Sequence, residues 1–178
     1  MTPAQRVELI RPGILSAGGT WADLGAGSGA FTGALARLLG PGALIYAVDR
    51  DRQALRGLTR LASADAARVV PVEADFTDEV SLPPLDGALC ANSLHFQADA
   101  CRALQNAVRW LRPGALLLIV EYDQPRANPW VPYPLPWSAC ADVARRAGLE
   151  GARLLGRMPS AYHGSMYAAA CRKPETRE

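Results

Sequence analysis

The chain has 178 residues, enough for one domain, residues 1–178, with a sizeable core. Its apolar share of 49%, charged share of 20% and net charge of +2 exclude a disordered chain and give no reason to expect a nucleic-acid partner. No apolar run approaches the roughly 18–20 residues of a membrane span, and the N-terminus lacks a secretory pattern, so a cytoplasmic protein without membrane insertion is expected.

Hydrophobic periodicity predicts alternating strands and helices. Residues 20–24 (TWADL) form a short apolar run ending at Gly25, and residues 31–39 place Phe31, Leu35 and Leu38 on one helical face. Gly40-Pro41-Gly42 stops that helix. Residues 43–49 (ALIYAVD) are almost continuously apolar, as expected of a parallel strand covered on both faces. Residues 50–63 read as a second helix and 67–75 as a third strand, with Pro71 placing that strand at an edge. After a stretch with room for little more than one helical turn, residues 85–93 form a fourth strand and 100–111 a helix with Leu104, Val108 and Leu111 on one face. Arg112-Pro113-Gly114 ends it, and residues 115–123 (ALLLIVEYD) make the strongest strand. Prolines 125, 129, 132, 134 and 136 then break all period. A last helix, 138–149, precedes two runs, 151–158 and 166–173, close enough to pair antiparallel. This order implies an α/β domain with a mainly parallel, doubly wound sheet, whose ligands sit beyond the carboxyl ends of the strands.

Cys90, Cys101, Cys140 and Cys171 form no C-x-x-C pair, which suits neither a zinc site nor a disulfide framework. With His95 and His163 the only histidines, no metal site is expected. Lys173 is the single lysine, and Arg50, Arg52, Arg56 and Arg60 read as a solvated helix surface rather than a phosphate-binding face.

The chemistry-bearing stretch is DLGAGSGAF, residues 23–31. Gly25, Gly27 and Gly29 let backbone approach a ligand without Cβ interference, and the helix that follows offers exposed amides. Alone, this turn also satisfies the looser dinucleotide fingerprint. Asp49 ends the second strand, where a carboxylate can accept both hydroxyls of a ribose. Asp75 ends the third, where it could accept from an adenine amine while the Phe76 amide donates to a ring nitrogen. Asp23 separates the alternatives. Beside a diphosphate it would repel; beside an ammonium and a sulfonium it attracts.

Together DLGAGSGAFT, YAVDRD, EADFTD, LCANSLHF and LRPGALLLIVEYD resemble the class I S-adenosylmethionine-dependent methyltransferases, in order and separation, over about residues 20–123 with a family-like ending to 173. The resemblance implies a Rossmann-like, seven-stranded sheet in the order 3-2-1-4-5-7-6 with strand seven antiparallel. It implies S-adenosylmethionine as cofactor, with Gly25, Ala26, Gly27, Ser28, Gly29 and Phe31 around its methionine part and Asp23 near its amino group. Asp49 would take the ribose hydroxyls and Arg50 would flank the adenine. Asp75 and Phe76 would read the adenine edge, and Asn92 would contribute backbone near the ammonium.

Methyl transfer needs alignment and exclusion of water, and a base only when the acceptor arrives protonated. His95 is placed for that role, or is a wall or core histidine; Tyr122 and Asp123 could line the acceptor side, and Glu121 could equally be a structural hydrogen-bonding residue. Trp130, Tyr133 and Trp137 form either an acceptor wall, an association patch or a crossover packed on its own aromatics. With only some twenty residues before the first strand, little N-terminal cover is expected, so a homodimer is one way to complete the pocket. The expected activity is methyl transfer to a small-molecule or lipid-like acceptor. A non-catalytic cofactor-binding module and a nicotinamide-dependent oxidoreductase are the alternatives.

Overall fold

A computed structural model of the chain describes residues 1–61, 65–160 and 164–176. Seven strands form one sheet: β1 (Gly19–Leu24), β2 (Ala43–Asp49), β3 (Arg68–Glu73), β4 (Leu85–Ala91), β5 (Leu111–Tyr122), β6 (Glu150–Pro159) and β7 (Ser165–Arg172). Their order is 3-2-1-4-5-7-6. Strands β1 to β5 pair in parallel, whereas β7 runs antiparallel to both β5 and β6. Pro71 does lie in an edge strand, exposed, in register with Ala47 of β2.

The period of two along β5 divides the core. Leu116, Leu118 and Val120 meet one helical layer, with Leu117 and Ile119 on the other side. The first layer contains α1 (Pro3–Ile10) and α2 (Ala30–Leu39), the second α4 (Ala100–Trp110) and α5 (Trp137–Arg146). In α2 Phe31, Leu35 and Leu39 are buried, with Thr32, Ala34 and Ala36 beside them, while Leu38 is half-buried, so the apolar stripe is turned slightly from the expected one. All four cysteines are buried and unbridged. Among the described residues, no helix is long and apolar enough to cross a membrane.

Two elements differ from expectation. The helix expected over 50–63 shortens to α3 (Arg52–Leu55), continued by a 3₁₀ turn over Arg56–Leu61; residues 62 and 63 lie outside the described segments. Gly57 interrupts the segment at a helical cost of about 1 kcal/mol, and Leu55 and Leu58 anchor it. Residues before β1 are not idle either. Thr2 accepts from the Gln5 amide while the Gln5 side chain accepts from the Thr2 amide, a capping box that starts α1 at Pro3. That helix buries Val7, Leu9 and Ile10 over the sheet.

Candidate active site

The parallel strands end on one edge of the sheet, and the segments that follow them enclose a cleft of about 350 Å³. Gly25 and Gly27 from the β1 turn, Asp49 and Arg50 at the end of β2, Asp75 and Phe76 after β3, and Asn92 after β4 all line it. The topology therefore brings together residues spread over nearly seventy positions, in the crevice where strand order reverses between β1 and β4.

The glycine turn is built by hydrogen bonds from its own strands. The Gly25 and Ala26 amides donate to the Val48 carbonyl, at 2.8 and 3.0 Å. Asp49 then organises two segments at once. Its Oδ2 accepts from the Gly27 amide at 2.7 Å and its Oδ1 from the Asp51 amide at 2.8 Å. Each oxygen keeps a further lone pair for a ligand hydroxyl. Gly25 is at φ 80°, and a Cβ built there would lie 2.4 Å from the Ser93 Cβ, so only glycine fits. Gly27, at φ 53°, has open space where a Cβ would go.

Asp23 lies beneath this turn, 1% exposed. Its Oδ2 accepts from the Thr32 hydroxyl at 2.6 Å, whereas Oδ1 has no partner. Burial pushes its carboxyl up to about 7; the Thr32 hydrogen bond opposes that, and Asp49 adds repulsion. Asn92 Oδ1 and Ser93 Oγ, after the neighbouring strand, are also buried without partners. Asn92 adopts φ 54°, an uncommon conformation for a residue other than glycine, while its amide donates to the Val120 carbonyl at 2.8 Å. Three side-chain oxygens, one each on Asp23, Asn92 and Ser93, thus lack a partner at the ends of two adjacent strands.

Asp75 has a different environment. Partial burial pushes its carboxyl up, but hydrogen bonds from the Thr77 hydroxyl and amide, at 2.7 and 2.9 Å, together with Arg50, hold it below the ordinary value. Arg50 Nη1 is 3.7 Å from Asp75 Oδ2. Phe76 is buried and forms part of the cleft wall.

Other expected site residues lie outside the cleft lining. Ala26 packs with Ala47, Leu55 and Leu58; Ser28 is exposed; Gly29 is the left-handed cap of α2; Phe31 sits in the core. His95 is 2% exposed with its Nδ1 2.6 Å from Glu121 Oε2, and Tyr122 is half-buried with its ring 5.5 Å from the imidazole. His163 is outside the described segments. Conversely, Asp51, Ala74, Ser93, Phe96 and Gln97 also line the cleft. Ser93 and Phe96 belong to the NSLHF run after β4, so its strand-end position was a usable signal for both; nothing local distinguishes Ala74 or Gln97.

The proline-rich segment touches this region through backbone, the Tyr133 amide donating to the His95 carbonyl at 3.0 Å. It packs through Val131 and Leu135 rather than on its own aromatics: Trp130 is 78% and Tyr133 48% exposed, and Trp137 begins α5 against Tyr167.

Residues 22–117 match a family model described as a methyltransferase domain. An uncharacterised 37.1 kDa protein of a Streptomyces fradiae transposon is 32% identical over 105 residues, covering 57% of this chain and 29% of that protein. The ubiquinone/menaquinone biosynthesis C-methyltransferase UbiE of Pasteurella multocida is 30% identical over 114 residues, 60% of this chain and 41% of UbiE. The chain thus spans less than half the length of these curated relatives. Among solved structures, CalO1, a methyltransferase of calicheamicin biosynthesis in its SAH-bound form, is 25% identical with a TM-score of 0.70, covering 95% of this chain and 53% of CalO1.

Proposed function

From the finding that this chain belongs to the methyltransferase domain family, we propose that it is an S-adenosylmethionine-dependent methyltransferase acting on a small-molecule or lipid-like acceptor. One observation carries the cofactor reading. A buried carboxylate with an unpaired oxygen lies under a glycine turn, and further carboxylates follow the next two strands. That set suits a ligand with an ammonium, a ribose and an adenine amine. It would repel a diphosphate, which argues against the nicotinamide alternative. The SAH-bound state of CalO1 and the methyltransferase activity in the name of UbiE support the same cofactor.

The residues present fit the cofactor. Asp23, Asn92 and Ser93 supply unpaired oxygens for an ammonium with three N–H donors. Asp49 accepts from ribose hydroxyls while keeping the glycine turn and the Asp51 turn in place. Asp75 and the Phe76 amide read the adenine edge, with Arg50 beside them. A sulfonium bound there supplies an electrophilic methyl group. The protein's own work is then to align the acceptor, exclude water and, for a protonated acceptor, remove its proton. His95 is the base we assign, with Tyr122 on the acceptor side.

Calorimetric titration with S-adenosylmethionine, S-adenosylhomocysteine and NAD tests the cofactor reading. Binding of both adenosyl compounds and none of NAD is expected; the reverse result overturns it. Methyl transfer to any member of a broad acceptor panel would then reject a non-catalytic module, whereas binding without transfer across the panel would favour one.

A further inference from the structure

The side chain of Glu121 makes three contacts to a single turn. Its Oε1 accepts from the Leu94 amide at 2.9 Å and the His95 amide at 3.2 Å, and its Oε2 lies 2.6 Å from His95 Nδ1. Both side chains are sequestered, with exposures of 3% for His95 and 0% for Glu121. Two backbone donors fill Oε1, and a carboxylate oxygen facing Nδ1 only accepts. The proton of the short Nδ1 contact therefore belongs to the ring. This tautomer is opposite to the one free histidine prefers, and it leaves the lone pair on Nε2.

We propose that Glu121 is a positioning residue for His95, holding the ring with its proton on Nδ1 so that Nε2 takes a proton from the methyl acceptor. This rests on the methyl-transfer reading above and narrows its substrate class to acceptors whose attacking atom carries a removable proton, a hydroxyl or an amine. In the step, the acceptor O–H or N–H bond breaks, its electron pair stays on the acceptor atom, and the proton passes to Nε2. The resulting imidazolium remains beside the Glu121 carboxylate, which offsets its charge where water cannot. Phe96 touches both sides of this arrangement. Its ring centroid is 4.2 Å from that of the imidazole, and it also lines the cleft. An acceptor that displaces the Phe96 ring would gain access to the imidazole. Glu121 itself is the penultimate residue of β5, 26 residues after His95, and the β4–β5 register brings the two together.

Two histidines make the test direct. Long-range nitrogen–proton correlation spectra of the ¹⁵N-labelled full chain display both imidazoles, and His95→Gln identifies the His95 signals by their loss. The neutral His95 ring is expected to show the Nδ1–H pattern, and Glu121→Gln is expected to lose it while circular dichroism still reports a cooperative melt. An Nε2–H pattern in the unaltered protein overturns the proposal, as does an unchanged pattern in Glu121→Gln. Should that variant fail to fold, the unaltered protein's spectrum still decides. Titration with S-adenosylhomocysteine separates the two levels. Absent binding removes the methyl-transfer reading and the pair's catalytic purpose with it, whereas binding with the wrong tautomer removes only the role of Glu121.

Discussion

Asp23 is a carboxyl whose burial opposes its own ionisation, and this has consequences of opposite sign for folding and for binding. Its carboxyl titrates at about 7 in the folded chain against 3.8 in an exposed one, so between these values the folded state holds the extra proton. Stability of the free protein therefore falls as pH rises through that window, by up to about 1.4 kcal/mol per pH unit. A cation bound beside Asp23 favours the ionised form, so affinity for S-adenosylhomocysteine, which keeps the ammonium, should fall up to tenfold per pH unit below about 7. Asp23→Asn should flatten both dependences, read by thermal melts and titration calorimetry between pH 5.5 and 8; a pH-independent affinity would remove Asp23 from the ammonium site. The two cleft glycines should separate stability from binding in the same way. Gly25→Ala places a Cβ 2.4 Å from that of Ser93 in a left-handed conformation and should cost several kcal/mol of stability. Gly27→Ala meets open space, so strain of about 1–2 kcal/mol is its whole folding cost, while the added methyl borders the cleft. Its melt should stay cooperative and its S-adenosylhomocysteine affinity should drop at least tenfold. Equal affinity in Gly27→Ala and the unaltered chain would show that the ligand does not approach this turn.

Between β5 and α5, residues 124–136 are held at both ends by one side chain. Asp123 Oδ1 accepts from the Trp137 amide at 3.0 Å, and its Oδ2 accepts from Arg157 Nε at 2.9 Å. Within the segment, Asn128 Oδ1 accepts from the Trp130 and Val131 amides, both at 2.9 Å, a local turn that leaves the Trp130 ring in solvent. Trp130→Ala should consequently change stability by less than about 0.5 kcal/mol. If the ring borders the acceptor, the variant should raise acceptor KM with S-adenosylhomocysteine affinity unchanged; an unaltered KM would leave Trp130 no part in acceptor binding. This segment also marks where local reasoning stops. Prolines announce the break in period, yet which side chains anchor it depends on what the sheet offers, and Val131 and Leu135 take that place. Similarly, the arginine-rich run after β2 has helical spacing, but Gly57 interrupts it and the α-helix spans a single turn, Arg52–Leu55, anchored through Leu55. For α1 the cues were present, a Thr-Pro start with Gln at the third helical position, but the segment is short and its apolar face makes sense only against a completed sheet.

At the scale of the whole molecule, the strand-end rule converts a one-dimensional pattern into a site, because parallel strands deliver their following residues to a single edge. This is why Asp49, Asp75 and Asn92 were legible as neighbours of the glycine turn, and why the crossing point between β1 and β4 holds the cleft. Long-range pairing was not legible: Glu121 meets His95 only through the register of β5 on β4, and no spacing rule reports it. The depth of Asp23, likewise, follows from Thr32 and the core above it. The opposite side of the architecture makes a separate prediction. The strand pair β5–β7 presents Leu116, Leu118, Val120, Met166, Ala168 and Ala170 to one layer, and α1 belongs to the cluster that covers them through Leu9 and Ile10, 2% and 0% exposed. Ile10→Ala leaves a cavity in that cluster, costing about 2–5 kcal/mol, or a melting temperature lower by roughly 5–15 °C in a chain of this size. Neither Leu9 nor Ile10 lines the cleft, so the affinity of the folded fraction for S-adenosylhomocysteine should be unchanged. A melt shifted by less than about 2 °C would mean that α1 is peripheral to the core. A large loss of affinity at temperatures where the variant remains folded would instead show that the α1 layer sets the geometry of the strand ends, coupling the two sides of the sheet.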